Sequence, residues 1–191
     1  MNITTEQLFT EARTQNGYLD TPVSDDALRQ LYELMKWGPT SANSSPARIL
    51  FVRTPEAKAR LIDCVDAGNV NKVRQAPVTA IIGMDLGFYE QLPKLFPHTN
   101  ARDWYAGKDA KIAETAFRNS SLQGGYFILA ARALGLGCGP MSGFNAAKMD
   151  QAFWGGTTVK TNFVCALGHG DPVKVLRRNP RLSFEEACRL L

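Results

Sequence analysis

Residues Pro77 to Met84 read P-V-T-A-I-I-G-M, apolar at nearly every position rather than at alternate ones. A strand with that pattern is buried on both faces, so the sheet that holds it is covered on both sides. Around it, helical and strand patterns alternate without strict order, which leaves α+β and mixed α/β open. A first helix is expected from Thr4 to about Thr14, with Gln7 as capping-box partner. A second starts at Ser24 and presents Leu28, Leu31, Leu34 and Met35 on one face until Gly38-Pro39 stops it. Arg48 to Arg53 reads as a strand, and Thr54-Pro55 caps a third helix. Residues 109 to 134 form the longest helical pattern, closed by Gly135. A short helix from Asn145, a strand near Thr161 to Leu167 and a last helix capped by Ser183 with Glu186 complete the order. Residues 85 to 108 are irregular and aromatic, as in a lid or in packing at an interface between copies.

The 191 residues suit one domain, residues 1–191, at roughly 150 residues per domain. That is too short for a nucleotide domain plus a substrate domain. With 45% hydrophobic and 21% charged residues, disordered and fibrous classes are excluded. The uncharged run after Arg118 is too short for a membrane span, and the next is broken by Gly135, Gly137, Gly139 and Pro140. Met1 to Glu11 has no cationic segment followed by an apolar core, so no signal peptide is expected. Cys64, Cys138, Cys165 and Cys188 show no paired spacing, and only two histidines accompany them. Free thiols in a reducing, cytoplasmic compartment are expected, without a metal site. The net charge of +4 is mostly interleaved by sign, except for Lys174, Arg177, Arg178 and Arg181. Aromatic residues do not interleave that cluster, so nucleic acid is not an expected partner.

The chain has no G-x-S-x-G, H-E-x-x-H or Walker sequence. Its glycine cluster, Gly135 to Gly139, follows a helix and reads as a C-cap entering a tight turn. An enzyme with so little acid–base machinery borrows its chemistry from a cofactor. Four polar clusters stand out: Arg13 to Asn16, Pro39 to Pro46, Asn69 with Lys72, and Arg178 to Arg181. Singly, each reads as a solvated helix end or turn. Together they offer guanidinium groups for a phosphate, hydroxyls and amides for a sugar-like chain, and a lysine for charge on a ring.

With the stretches R-T-Q-N-G-Y, K-W-G-P-T-S-A-N-S-S-P-A-R, E-T-A-F-R-N-S-S, G-P-M-S-G-F and P-R-L-S-F-E-E-A, the chain resembles the nitroreductase-like family of FMN-dependent oxidoreductases over essentially its whole length. Within that family it is most similar to the malonic semialdehyde reductases of pyrimidine degradation. The resemblance implies an α+β fold, with a central, mostly antiparallel sheet flanked by helices and an extensive homodimer interface that holds two FMN sites. It implies that Arg13, Thr14 and Asn16 serve phosphate and ring, and that Pro39, Thr40, Ser41 and Asn43 reach the flavin from the opposite subunit. Asn69 and Lys72 would lie beside the ribityl chain and pyrimidine edge. Pro140, Met141, Ser142 and Gly143 would form a turn against the ring, with the N–H of Ser142 or Gly143 directed at N5 and O4. Arg178 and Arg181 would clamp the phosphate. Lys72, Ser142 and Gly143 are thus the candidate catalytic residues.

The chain departs from the family pattern at Asn16, where a basic residue is frequent, so Lys72 becomes the main cation near the reduced ring. Ala12 stands where an arginine is common, with Arg13 one place later. Ser45-Pro46-Ala47 replaces a frequent Q-P-W. The implied reaction is ping-pong hydride transfer from NAD(P)H through flavin N5 to malonic semialdehyde or a related aldehyde acid. A broad nitro- or quinone-reductase and a flavin-binding protein without turnover are the alternatives. Arg48, Arg102 and Arg118 are candidates for a substrate carboxylate, Arg118 reading equally as a helix-surface residue. His169 reads as a turn residue, Cys138 as a small buried one, and Phe117, Tyr126 and Phe127 as core or interface.

Overall fold

The structure is a computed structural model describing residues 3–191. The reading of a leader sequence rests partly on Met1 and Asn2, which lie outside those residues. Four strands form one antiparallel sheet: β1 Ala47–Val52, β2 Val78–Asp85, β3 Gly137–Met141 and β4 Val159–Gly168. Their order is β1-β2-β4-β3, which puts the apolar run of β2 at the centre, with Ile81 opposite Leu50 on one side and Val164 on the other.

Helices cover both faces, and alternate residues of β2 serve opposite layers. Val78, Ala80 and Ile82 pack with Leu28, Leu31 and Met35 of α1 (Asp25–Met35) and with Phe127 and Ala131 of α5 (Asp109–Ala133). Ile81 faces the other way, toward Leu61 of α2 (Pro55–Ile62), Val73 of α3 (Ala67–Gln75) and Met149 of α6 (Ala146–Trp154). Each fully buried Val, Leu, Ile, Met or Phe among them contributes about 1.5–3 kcal/mol. The caps lie where the sequence places them. Ser24, Thr54 and Asn145 accept from the N–H three residues on, and Ser183 and Glu186 form a reciprocal box. That last helix, α7 (Phe184–Ala187), is a single turn.

Residues 85–108 contain the short helix α4 (Leu92–Leu95) and carry their own core. Phe88, Leu92, Ala101 and Tyr105 close on Ile112 and Ala116 of α5.

Three expectations are corrected. The helix expected over 4–14 is a π-helical turn, Glu6–Thr10. Thr4 accepts the Gln7 N–H at 3.1 Å, but the Gln7 side chain donates instead to the Arg132 carbonyl, 2.8 Å away at the end of α5. The chain then runs along β3, where Thr14 pairs with Cys138 and the Gln15 N–H donates to the Cys138 carbonyl at 2.8 Å. The glycine cluster is only partly a cap. Gly135 ends α5 at φ +76°, whereas Gly137 and Gly139 lie in β3. Side chains there would collide with this crossing, because a Cβ on Gly139 would lie 2.6 Å from the Gln15 carbonyl oxygen. Leu34, placed on the apolar face of α1, points outward and is 47% exposed.

Candidate active site

The N-terminal segment and the C-terminal tail bring together one group of the candidate residues. Arg13, Thr14, Asn16, Arg178 and Arg181 line one cavity of about 450 Å³, together with Arg132 and Arg177. No carboxylate is among its lining residues. The segments are tied by their own arginines: Arg178 donates to the carbonyls of Thr10 (2.6 Å) and Ala12 (3.0 Å), and Arg13 donates to that of Leu176. Arg181 donates to Asn179 and Pro180, both at 3.0 Å. Backbone carbonyls orient these guanidinium groups without neutralising them, and such a donor set suits a phosphate. Arg132, unremarked in the sequence because a lone basic residue in a last helical turn is ordinary, joins them by donating to the Leu8 carbonyl at 2.7 Å.

A second group of candidate residues lies where α3 meets the end of β3. Asn69 donates through Nδ2 to the Gly143 carbonyl at 2.9 Å, and the Asp66 N–H donates to the same oxygen at 3.0 Å. Among the described residues, the N–H groups of Ser142 and Gly143 find no acceptor. Pro140 and Met141 belong to β3 rather than to a turn, because both pair with β4. Pro140 and Ser142 are exposed, but the Met141 side chain is turned into the core, so only its backbone is available at this surface. Lys72, half-buried, makes no ion pair with a carboxylate among the described residues. Burial pushes its ammonium below the usual lysine range, partly offset by the nearby Cys165. A Cβ on Gly139 would lie 3.0 Å from Lys72 Cδ and 2.8 Å from the Tyr18 hydroxyl, so this glycine makes room for the lysine. Burial pushes the Tyr18 phenol up, and it donates to the Ala166 carbonyl at 2.9 Å.

The segment Pro39, Thr40, Ser41 and Asn43 does not join these groups within one chain. Ser41 is fastened to Asn119, thirteen residues and about 20 Å along α5 from Arg132. Asn43 donates to the Leu95 carbonyl at 2.8 Å, and Thr40 Oγ1 accepts the Ser45 N–H at 3.1 Å. Ala42, Asn43 and Ser45 have φ of 50°, 50° and 41°, a strained run of the kind found at functional sites. The three substrate-cation candidates are already paired: Arg48 with Asp85, Arg102 with Glu90, and Arg118 with Glu114 one turn away. Cys64, Cys138 and Cys165 are free and buried; Cys188 is free and exposed. Among the described residues no helix is long and apolar enough to cross a membrane.

A sequence model described as the nitroreductase family matches residues 10–170. A protein of Polynucleobacter asymbioticus named "Putative NADH dehydrogenase/NAD(P)H nitroreductase" is 60% identical over 186 residues, covering 97% of this chain and 95% of its own. A protein of Ralstonia nicotianae with the same type of name is 59% identical over 186 residues, with coverage of 97% and 95%. Among solved structures, one titled as a "putative nitroreductase in complex with FMN" from Exiguobacterium sibiricum superposes with a TM-score of 0.89 at 17% identity, covering 100% of this chain and 99% of that one. A nitroreductase family protein from Streptococcus pneumoniae gives 0.86 at 20% identity, with coverage of 98% and 100%. These two structures share the fold.

Proposed function

The chain belongs to the nitroreductase family, and from that premise we propose that it is an FMN-dependent NAD(P)H oxidoreductase, a single FMN-binding domain over residues 1–191 that works as a homodimer. The observation that carries this reading is the convergence of Arg13, Arg178 and Arg181 on one cavity without a carboxylate. Its donors fit the phosphate of FMN, with Thr14 and Asn16 beside them. The unpaired N–H groups of Ser142 and Gly143, with Lys72 next to Gly139, fit the polar edge of the ring. Asn69, whose Nδ2 is committed to Gly143, keeps its carbonyl oxygen for a ribityl hydroxyl.

When bound, FMN supplies hydride chemistry at N5, taken up from NAD(P)H and passed to an acceptor in a ping-pong sequence. The chain's own contribution is orientation and electrostatics. Lys72, its charge disfavoured by burial, gains most when an anionic group comes beside it. Ser142 and Gly143 offer fixed backbone donors that need no reorganisation.

A second copy completes each site in this reading, because Pro39 to Asn43 lie far from the arginine cavity of their own chain. Exposed apolar residues support such a partner: Trp37 is 80% exposed, and Tyr32, Leu176, Leu182 and Phe184 are exposed with it. We assign malonic semialdehyde, reduced to 3-hydroxypropionate in pyrimidine degradation, as the acceptor, on the resemblance of the quoted stretches. The pairing of Arg48, Arg102 and Arg118 moves recognition of its carboxylate away from those three residues. A broad nitro- or quinone-reductase is the second reading, favoured by the names of the relatives. Steady-state turnover with malonic semialdehyde against a nitroaromatic separates them. A higher kcat/KM for the semialdehyde supports the first reading, and a higher value for the nitroaromatic overturns it. The reduced thiols and the reaction both suit the cytoplasm.

A further inference from the structure

One face of α5 grips the backbone of the strained loop at three points. The Tyr126 hydroxyl donates to the Pro39 carbonyl at 3.1 Å. Asn119 Oδ1 accepts the Ser41 N–H at 2.8 Å, and Gln123 Oε1 accepts the Ala47 N–H at 2.8 Å. Residues 119, 123 and 126 are spaced four and three apart, so they form one stripe along the helix. Asn119 and Gln123 are 3% and 6% exposed, at positions where an apolar side chain would pack without needing a partner. The amide of Asn119 is fixed from its other end, since Nδ2 donates to the Thr115 carbonyl at 2.9 Å. The entry to the loop is equally close. A Cβ on Gly38 would lie 2.0 Å from the Tyr126 ring, so Gly38 lets the ring lie directly against the chain.

Between these anchors sit all three non-glycine residues with positive φ among the described residues: Ala42, Asn43 and Ser45. Each costs energy that the surroundings must supply. The stripe does so through backbone groups, whatever side chains the loop carries. We propose that Asn119, Gln123 and Tyr126 are positioning residues that hold residues 39–47 in the one conformation in which Thr40, Ser41 and Asn43 meet the flavin. This rests on the reading of FMN as the cofactor. Without the stripe, the loop spreads over relaxed conformations, and FMN affinity falls by the fraction of time the competent one is populated.

The test is titration of the apoprotein with free FMN, followed by quenching of flavin fluorescence, with hydrogen exchange of residues 40–47 measured in the apo state. Tyr126→Phe removes one hydroxyl and keeps the ring, and it should weaken FMN binding about five-fold. Gln123→Leu should weaken it more than about ten-fold, and Gln123→Glu, which retains an acceptor oxygen, should recover most of that loss. In the weakened variants the Ser41 and Ala47 amides should exchange faster while those of β2 are unchanged. If Gln123→Leu does not fold, Tyr126→Phe decides. Wild-type affinity and wild-type exchange in folded Tyr126→Phe overturn the inference. Arg181→Ala serves as control: if it loses FMN while the stripe variants bind normally, the inference alone fails. A wild-type protein that binds no FMN overturns the cofactor reading as well.

Discussion

Asn69 holds the Gly143 carbonyl at 2.9 Å, and with the Asp66 N–H on the same oxygen at 3.0 Å it fixes the start of α3 to the chain leaving β3. Lys72 lies one turn beyond Asn69 on the same helix, with its Cδ 3.0 Å from where a Cβ on Gly139 would stand. In the proposed reading, this cation and the backbone donors of Ser142 and Gly143 serve the same flavin ring.

Lys72→Ala should slow reduction of bound flavin by about 100-fold, a typical loss for one preorganised electrostatic group, and reduce FMN retention far less. Stopped-flow absorbance with NAD(P)H measures the first, and the dissociation constant for FMN measures the second. Equal losses in both would assign Lys72 to binding alone.

The same lysine carries a pH signature in the apoprotein. Its folded-state pKa lies below the ordinary 10.5, so between the two values the unfolded chain binds more protons. Stability of wild type relative to Lys72→Met should therefore rise with pH across that window, as the buried charge is released. Urea unfolding of both proteins along a pH series measures it. A difference independent of pH contradicts the burial argument.

Arg181→Ala should show the reverse of Lys72→Ala. Loss of a charge-assisted contact to phosphate weakens FMN binding by about ten- to one-hundred-fold. Flavin that remains bound should be reduced at nearly the wild-type rate. Unchanged FMN affinity would remove Arg181 from the clamp.

Gly139→Ala places a methyl group 2.6 Å from the Gln15 carbonyl oxygen, 2.8 Å from the Tyr18 hydroxyl and 3.0 Å from Lys72 Cδ. Overpacking of this kind costs about 1–3 kcal/mol, which for a chain of this size lowers Tm by roughly 2–12 °C. FMN binding should weaken with it, because the methyl displaces Lys72. Thermal unfolding and FMN titration check both.

What was legible before the structure follows from how local each signal is. Pro77 to Met84 announced the central strand because burial on two faces needs no knowledge of the neighbours, and the caps at Ser24, Thr54, Asn145 and Ser183 are equally local. The strand β3 was hidden, since a run of glycines and a proline carries no strand propensity. It is a strand because β4 pairs with it and the segment at Gln15 needs its bare backbone. The helix expected over residues 4–14 was lost to a distant competitor, the carbonyl end of α5, which captures Gln7. In the site, the arginines of both chain ends stood out as charge. Asn119 and Gln123 did not, because polar residues inside a long helical pattern look like its solvent face until the loop they hold is seen.

The central claim, a flavin site operated by NAD(P)H, is tested most directly by the visible spectrum of the purified, FMN-reconstituted protein during anaerobic titration with NADH and then NADPH. The account predicts a bound oxidised-flavin spectrum that bleaches on addition of at least one of the two nucleotides. A protein that stays colourless after reconstitution, or a bound flavin that neither nucleotide bleaches, would contradict it.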